Sequence, residues 1–444
     1  MEVGFKNKLM KFLKNILRKI TTPEIFENNK NRILFYKYLL IGLFLRFLFI
    51  PFFFQIDILS SYTRAAGQLF ETIPETPAVI QLVMHWFHVF FLKIIIQIIP
   101  NLKFILEISN EHIQWLSFAG DNQVFRMLSV IKFPYFIFDL ACAFLLLRFT
   151  KDAKTNLKVF KHWMINPIVI FVTYIFARFD VIPLFITILA LYFAMKDKKY
   201  ISIFLLVISI VMRFFPVLIL PFLIIYLAKN KKDYIIFSLL GISGLLALEI
   251  GSRLIYGSSA LFKLLNSQHF TFLIALKWGM EGLHVSLIPL VIFFTLTIIS
   301  FFEISNKSFS NLLKYSLIAF LLWFSFGYYH PQYLLWVIPF LIFQFVENDR
   351  IFYYHILQVL IIPFILLYWG QLVTTYLFTP IDSRFFVYFP DIVDIIRKYY
   401  SPAKFANIFS SIFSGVSIWI IYEVFKLSKI KSNLVFNTKK RDKV

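Results

Sequence analysis

Long apolar runs, separated by short polar or basic stretches, repeat along this chain from residue 33 to residue 425. A helix needs about 20 predominantly apolar residues to cross about 30 Å of hydrocarbon, and many of the runs approach that length. The first run, residues 33–54, follows a basic N-terminus and is followed at once by Gln55-Ile56-Asp57. The pattern predicts an all-α, polytopic integral membrane protein with about 12 transmembrane helices.

Composition agrees with this pattern, and the distribution of charge refines it. Apolar residues make up 59% of the 444 positions, and charged residues only 16%. The formal net charge is +21, but Lys and Arg concentrate in stretches that flank the apolar runs. We interpret them as cytoplasmic topology anchors beside anionic lipid, and we predict no nucleic-acid partner. These stretches are residues 1–32, 151–161, 196–199, 229–232 and 426–443.

The ends of the chain and its one cysteine add little to this picture. The first thirty residues are basic and amphipathic and contain no small-residue cleavage site, so we expect no cleavable signal peptide. Cys142 lies inside an apolar run, and because it is the single cysteine of the sequence, an intrachain disulfide is excluded. We divide the chain into a basic cytoplasmic N-terminal segment (1–32), a single transmembrane domain (33–425) and a basic cytoplasmic tail (426–444).

The positive-inside rule places both termini in the cytoplasm and Asp57 outside. Residues 55–127 then form a large first outer loop that contains the apolar stretch 79–99. His85 and His88 interrupt that stretch, so we expect interfacial helices there, with a transmembrane pair as the alternative.

One later run departs from the simple alternation of crossings. Residues 200–228 have basic stretches at both ends, and Arg213 and Pro216 interrupt their middle. Proline removes a backbone donor and breaks a helix. We therefore predict two short helices that meet at an outer-facing apex.

Charged and polar side chains collect at the predicted outer ends of the helices. The sequence contains no glycine-rich phosphate loop, no paired-cysteine zinc pattern and no GxSxG elbow. Carboxylates and cations on one side suit transfer from an anionic lipid-linked substrate to a hydroxyl. A base takes the proton, and cations stabilise the departing phosphate. The collected residues are Asp57, Arg64, Asp121, Arg178, Asp180, Arg213, Lys277, His330, Gln332, Asp382 and Arg384.

A structural interpretation stays open for several of these residues. Arg178 and Asp180 would form a local ion pair at a helix junction, Arg213 would snorkel to the interface, and His330 would cap a helix. An acid at a membrane boundary is costly unless pairing or function compensates, which favours a functional role for Asp57. We predict no metal site, and the sequence leaves metal dependence open.

Five motifs, in order along the chain, resemble those of the GT-C superfamily of integral-membrane glycosyltransferases. The likeness is to the GPI mannosyltransferase I type and its prokaryotic relatives, although Arg178-Phe179-Asp180 replaces the Arg-Gly-x-x-Glu pattern of the eukaryotic enzyme. No second acid accompanies Asp57, and a GPI precursor as acceptor is not supported. The motifs are Gln55-Ile56-Asp57-Ile58; Lys132-Phe133-Pro134 with Asp139; Asn166-Pro167 with Arg178-Phe179-Asp180; Arg213-Phe214-Phe215-Pro216 with Leu220-Pro221; and His330-Pro331-Gln332-Tyr333-Leu334-Leu335-Trp336.

The resemblance implies an inverting hexosyltransferase, with mannose favoured, that uses a polyprenyl- or dolichyl-phosphate-linked donor and a glycan or lipid acceptor. It implies a base at Asp57. From the chemistry of the side chains, we assign the other site residues to a group that holds the donor phosphate and a group that contacts substrate. The phosphate group is Arg213, Arg178 and Lys277, and the substrate group is Asp180, His330, Gln332 and Tyr333.

Residue usage rich in Lys, Asn, Ile and Phe favours a prokaryotic plasma membrane. The predicted topology puts the active site on its outer side, and we expect membrane lipids as further partners. Two other functions remain. One is a transporter or flippase of lipid-linked oligosaccharide, which internal repeats with a second broken helix pair would indicate. The other is a non-catalytic subunit of a glycan-assembly pathway, which would tolerate loss of Asp57.

Overall fold

The computed structural model describes residue 25 and residues 27–70, 81–266, 277–278, 285–286, 290–304, 308–326, 330–428 and 434–438. Its secondary structure is almost entirely helical. Up to the first strand, the elements are α1 (Asn29–Phe49), α2 (Ile56–Phe70), α3 (Leu82–Ile98), α4 (Asn101–Leu106), α5 (Glu111–Ala119), α6 (Val124–Leu146), α7 (Ala153–Met164), α8 (Pro167–Ile170) with a π-helical turn (Phe171–Ile175), α9 (Val181–Met195), α10 (Lys199–Met212), a 3-10 turn (Phe215–Leu218), α11 (Leu220–Leu227), α12 (Lys231–Tyr256) and α13 (Ala260–Leu265).

A two-residue antiparallel pair, β1 (Lys277–Trp278) and β2 (Val285–Ser286), precedes the remaining helices. The apolar stretch 285–302 predicts a crossing, but Val285 lies in β2 and the helix begins only at Ile292. The remaining elements are α14 (Ile292–Ile304), α15 (Phe309–Phe326), a 3-10 helix (Pro331–Trp336), α16 (Ile338–Glu347), α17 (Asp349–Leu366), 3-10 turns (Leu367–Val373 and Thr375–Phe378), α18 (Ser383–Tyr388), α19 (Ile392–Arg397) and α20 (Pro402–Ser428).

Five helices of the described chain are long and apolar enough to cross a membrane: α6, α12, α15, α17 and α20. Their length and composition are those of a helical membrane protein. Five is fewer than the number of crossings that the apolar pattern predicts. Other predicted crossings form shorter apolar helices of 10–17 residues, such as α9 and α10.

The first apolar run is not one continuous helix. We predicted a crossing over residues 33–54, but α1 ends at Phe49 and the chain turns before α2 begins at Ile56. Pro51 follows the end of α1 and has no backbone N–H to donate, so it cannot support a further helical turn. Asp57 therefore lies in the first turn of a second helix.

The predicted pair of short helices over residues 200–228 is confirmed. α10 ends where Arg213 adopts an extended backbone, with φ −155° and ψ 125°. The ends of the pair that lie away from Arg213 meet at Asp233. Its Oδ2 lies 2.7 Å from Lys199 Nζ and accepts a hydrogen bond of 2.9 Å from the backbone N–H of Lys229. The break at Arg213 is thus an apex, and the chain returns to the end from which it started.

Basic segments from distant parts of the chain meet at that same end, which we call the basic end. Lys196 Nζ donates a hydrogen bond of 2.9 Å to the backbone carbonyl of Asn437 in the C-terminal tail. Lys229 Nζ lies 3.7 Å from Asp197 Oδ2. α9 leads from here to Asp180, and its 15 residues span about 22 Å at about 1.5 Å per residue. We call the Asp180 end the site end.

A fully buried ion pair joins α1 to α6. Arg46 Nε lies 2.6 Å from Asp139 Oδ2, and both side chains have 0% exposure. Asp139 also accepts hydrogen bonds from Trp163 Nε1 at 2.7 Å and from Tyr174 Oη at 2.5 Å. Because α1, α6, α7 and the π-helical turn each contribute one member, this inner ion cluster (Arg46, Asp139, Trp163, Tyr174) fixes their relative positions.

α1 also approaches α7 closely at Gly42. A Cβ at that position would lie 2.9 Å from Met164 Cβ, so a larger residue would push the two helices apart. It brings the backbone carbonyl of Met164 within 2.7 Å of Arg46 Nη1, which donates to it.

Lys132 on α6 links this core to the turn before α2. Its buried ammonium donates to the carbonyls of Ile50 at 2.7 Å and Tyr174 at 2.8 Å, and also to that of Phe53. Three carbonyls match the three donors of an ammonium. Lys132 therefore holds the turn from which Asp57 emerges, and it contributes to the position of the site without contacting Asp57.

Candidate functional site

Asp57 is placed by the N-terminus of α2. The Gln55 side-chain carbonyl accepts a hydrogen bond of 2.7 Å from the backbone N–H of Asp57, which supplies a partner for one of the free donors of a helix start. The Asp57 side chain is 33% exposed, and its Oδ2 lies 2.8 Å from Arg178 Nη1. The carboxylate is thus accessible, and it is paired with a cation.

An unusual backbone delivers Arg178 and Asp180 to the site. After the π-helical turn, Ala177 has a φ of 59°, in the left-handed region that L-residues other than Asn and Asp rarely adopt. The backbone N–H of Arg178 then donates 3.0 Å back to the carbonyl of Val172. Such strain costs about 1–2 kcal/mol, and the surrounding fold holds the segment in place.

Asp180 and Arg213 form a second pair, which is more deeply buried. Arg213 Nε lies 3.1 Å from Asp180 Oδ1, with side-chain exposures of 8% and 0%. The same oxygen accepts a hydrogen bond of 3.1 Å from Trp336 Nε1. The Nε–H of Arg213 is not directed to form a hydrogen bond, and Asp180 Oδ2 has no hydrogen-bond partner among the described residues. This pair is close but incompletely bonded.

Aromatic rings line the Arg213 guanidinium, and one of them also contacts Arg178. Its central carbon lies 5.4 Å from the ring centre of Phe179, 5.7 Å from that of Phe215 and 5.6 Å from that of Tyr333. Arg178 lies over the same Phe179 ring at 5.2 Å. Ring faces attract cations and exclude water, so two guanidinium groups are held near one ring. We call Asp57, Arg178, Asp180 and Arg213 the site cluster.

The other predicted site residues lie at different depths around this cluster. The His330 ring centre is 5.5 Å from that of Tyr333 and 5.6 Å from that of Trp369. His330 therefore borders the aromatic rings that surround Arg213. Gln332 is buried, and its Oε1 has no hydrogen-bond partner within the described chain. Lys277 lies in β1, and its side chain is outside the described part of the structure, so its role stays a prediction.

Two acids of the predicted outer face have local structural roles. Asp121 Oδ1 accepts a hydrogen bond of 2.7 Å from the backbone N–H of Gln123. Asp382 caps α18 and accepts one of 2.9 Å from the backbone N–H of Phe385. Asparagine fulfils such capping roles nearly as well as aspartate, which makes both positions matched controls for Asp57.

His88 is a satisfied core residue: its Nδ1 lies 2.7 Å from the Met84 carbonyl and its Nε2 2.9 Å from Tyr135 Oη. Across the described ranges, no group of three or more His, Cys, Asp or Glu residues is arranged to hold a metal ion.

Sequence reasoning missed three side chains that shape the site: Phe179, Phe215 and Trp336. Each was part of a quoted motif, but aromatic residues are so frequent here, with 58 Phe in the chain, that no single ring stood out. The available signal was adjacency, because Phe179 lies between two charged residues and Phe215 follows Arg213 closely.

The arrangement offers an accessible carboxylate and two arginines with spare N–H donors at one end of the bundle. An anion that reached the arginines would compete with Asp57 and Asp180 for them. Comparisons of this chain with protein-family models, curated proteins and solved structures find no match. The functional assignment therefore depends on this geometry and on the motif resemblance.

Proposed function

We propose that the protein is a membrane glycosyltransferase of the GT-C type that transfers a hexose, with mannose favoured, from a polyprenyl-phosphate-linked donor to a glycan or lipid acceptor. We place the reaction on the outer face of a prokaryotic plasma membrane, in a bundle of about 12 crossings. The observation that carries the proposal is the site cluster, in which four separately predicted residues meet and leave buried polar atoms without partners.

The incomplete bonding supports binding of an anionic group. Arg178 Nε and Arg213 Nε are buried and make no hydrogen bond in the described structure. Arginine matches phosphate geometry because its N–H donors form a planar fork. A lipid phosphate between the two guanidinium groups would supply acceptors for these donors and would bring the anomeric carbon of its sugar to the site end.

The chemistry then needs one base. An acceptor hydroxyl attacks the anomeric carbon, its O–H proton passes to the Asp57 carboxylate, and the bond from the anomeric carbon to the phosphate oxygen breaks. The lipid phosphate leaves with the electron pair of that bond, and the arginines stabilise its charge. Attack opposite the leaving phosphate inverts the anomeric configuration.

The Asp57–Arg178 contact sets an order for these events. Asp57 Oδ2 lies 2.8 Å from Arg178 Nη1, so this oxygen is occupied by the guanidinium while the pair is closed. Donor phosphate competes for Arg178 and loosens this pair. Asp57 then becomes the base after the donor has bound.

The direct test uses membranes that contain the protein, incubated with radiolabelled polyprenyl-phosphate-mannose or with nucleotide-mannose. We expect label to pass from the polyprenyl donor to membrane acceptors and no protein-dependent transfer from the nucleotide sugar. Membranes with the Asp57→Asn variant are the control for background transfer. Protein-dependent transfer from the nucleotide sugar alone would refute the assignment of the donor.

A further inference from the structure

Two cavities flank the start of α2, separate from the site cluster. The first, which we call the polar cavity, measures about 280 Å³ and lies between α2 and the turn that joins α4 to α5. The second, the aromatic cavity, measures about 240 Å³ and lies beside α5. Ile56 and Glu111 line both cavities, so the cavities are neighbours. Ile56 is also the residue that precedes Asp57.

The walls of the polar cavity suit a neutral ligand with many hydroxyl groups. Ser60 and Thr63 present hydroxyls from α2, and Glu107 and Glu111 present carboxylates from the opposite wall. Arg64 lines the same cavity, and Glu107 Oε1 lies 3.8 Å from Lys103 Nζ, so the cavity carries no large excess of one charge. Sugar hydroxyls donate well to a carboxylate such as that of Glu111, which would repel a phosphate.

The aromatic cavity adds apolar ring edges, because Trp115 is 3% exposed and packs against Tyr376. The rings of Trp115 and Tyr376 lie 4.4 Å apart between centres, at an interplanar angle of 32°. Glu111 and His112 stand at the same cavity. An aromatic surface with a few polar groups that fix orientation is typical of a small-molecule site. A pyranose fits this chemistry because one face carries C–H groups and its edge carries hydroxyls.

The cavities are connected to the proposed base through two side chains. Gln55 lines the aromatic cavity, and its side-chain carbonyl accepts the backbone hydrogen bond that caps Asp57. Ile56 precedes Asp57 and borders both cavities. A ligand in the cavities therefore lies against the same helical turn that carries the carboxylate.

We infer that the polar and aromatic cavities together form a sugar-binding subsite that takes a neutral hexose unit of the acceptor. The identity of this sugar as part of the acceptor rests on the proposed function, whereas the binding of a sugar in the cavities does not. The division of charge then separates the two substrates: the donor phosphate binds at Arg178 and Arg213, and the uncharged acceptor sugar binds beside Glu111 and Trp115.

The experiment measures binding of methyl mannoside, methyl glucoside and methyl galactoside to the purified full-length protein in lipid nanodiscs, by saturation-transfer NMR. We expect binding of at least one glycoside, with no competition from inorganic phosphate. Glu111→Gln should weaken that binding about tenfold or more, because a hydrogen bond to a charged group is lost. Asp382→Asn, which changes a capping acid elsewhere, should leave it unchanged.

The outcomes separate this inference from the proposed transferase. If none of the three glycosides binds, or if Glu111→Gln binds like the wild-type protein, there is no subsite here, whatever the donor assay shows. If a glycoside binds and depends on Glu111 while no sugar is transferred from a polyprenyl donor, the subsite stands and the transferase function fails. Competition by inorganic phosphate would identify an anion site and would also overturn the inference.

Discussion

The inner ion cluster and the site cluster each contain a carboxylate paired with an arginine, but they differ in how completely their polar atoms are bonded. In the inner cluster, Arg46 donates to both oxygens of Asp139 and to two backbone carbonyls, and each Asp139 oxygen has a second donor. In the site cluster, buried atoms of Arg178, Asp180 and Arg213 make no hydrogen bond in the described structure.

This difference separates a structural ion pair from a candidate binding site. A buried polar atom without a partner costs about 1–3 kcal/mol, so most such atoms in proteins are bonded. The inner cluster shows that this bundle satisfies a buried ion pair fully where four elements converge. At the site end, buried polar atoms lack hydrogen bonds, the backbone is strained at Ala177, and the Asp57 carboxylate is accessible. These three features together are typical of a substrate-binding site.

The largest effect that we predict is on folding. Arg46→Ala should destabilise the protein by about 3–5 kcal/mol, because it leaves Asp139 buried without its cation. Arg178→Ala removes an arginine whose partner Asp57 is 33% exposed and can be solvated without it, so it should destabilise the protein clearly less than Arg46→Ala does. Thermal unfolding and the monodisperse fraction in detergent measure both. Equal destabilisation by the two variants would erase the distinction between the clusters.

The next effect concerns the donor. Arg213→Ala should weaken binding of polyprenyl-phosphate-mannose about 10- to 100-fold through loss of charge-assisted hydrogen bonds. Arg213→Lys should retain part of the affinity, because it keeps the charge and loses the bidentate fork. Binding of the radiolabelled donor to purified protein measures the difference. If both variants bind donor like the wild-type protein, Arg213 serves only to neutralise Asp180.

The smallest effect concerns backbone strain. Ala177→Gly should relieve the left-handed conformation and change stability by about 1 kcal/mol or less. It should also lower turnover, because the segment that carries Arg178 and Asp180 gains freedom. Asp197 has a φ of 57° at the basic end, so Asp197→Gly is the matched control and should leave turnover unchanged. A fall in turnover in both variants would show that the effect is not specific to the site.

The sequence was sufficient to predict the helical membrane class. It placed the members of the site cluster among eleven residues at the outer ends, because charges are costly near lipid and these charges follow apolar runs, but it neither singled the four out nor paired them. Their partners depend on the π-helical turn, the left-handed Ala177 and the extended Arg213. These are local backbone states that hydrophobic periodicity does not encode.

The inner ion cluster shows the converse case. Arg46 and Asp139 stand inside apolar runs, which already requires a partner of opposite charge. We quoted Asp139 only as part of a motif and did not pair it with Arg46, because two charges far apart in sequence meet only through the packing of α1 on α6. Likewise, Pro51 was read as part of a crossing, although its missing donor predicts the end of α1.

The most direct test of the account compares Asp57→Asn with Asp139→Asn in the same two measurements, thermal unfolding and turnover with a polyprenyl-phosphate donor. Asparagine keeps the size of aspartate but is a far weaker base. Asp57→Asn should therefore fold like the wild-type protein, bind donor, and lose about two to four orders of magnitude in turnover. Asp139→Asn should lose folded protein. Near-normal turnover in Asp57→Asn would contradict the assignment of the base, the more so if Asp121→Asn or Asp382→Asn abolished activity instead.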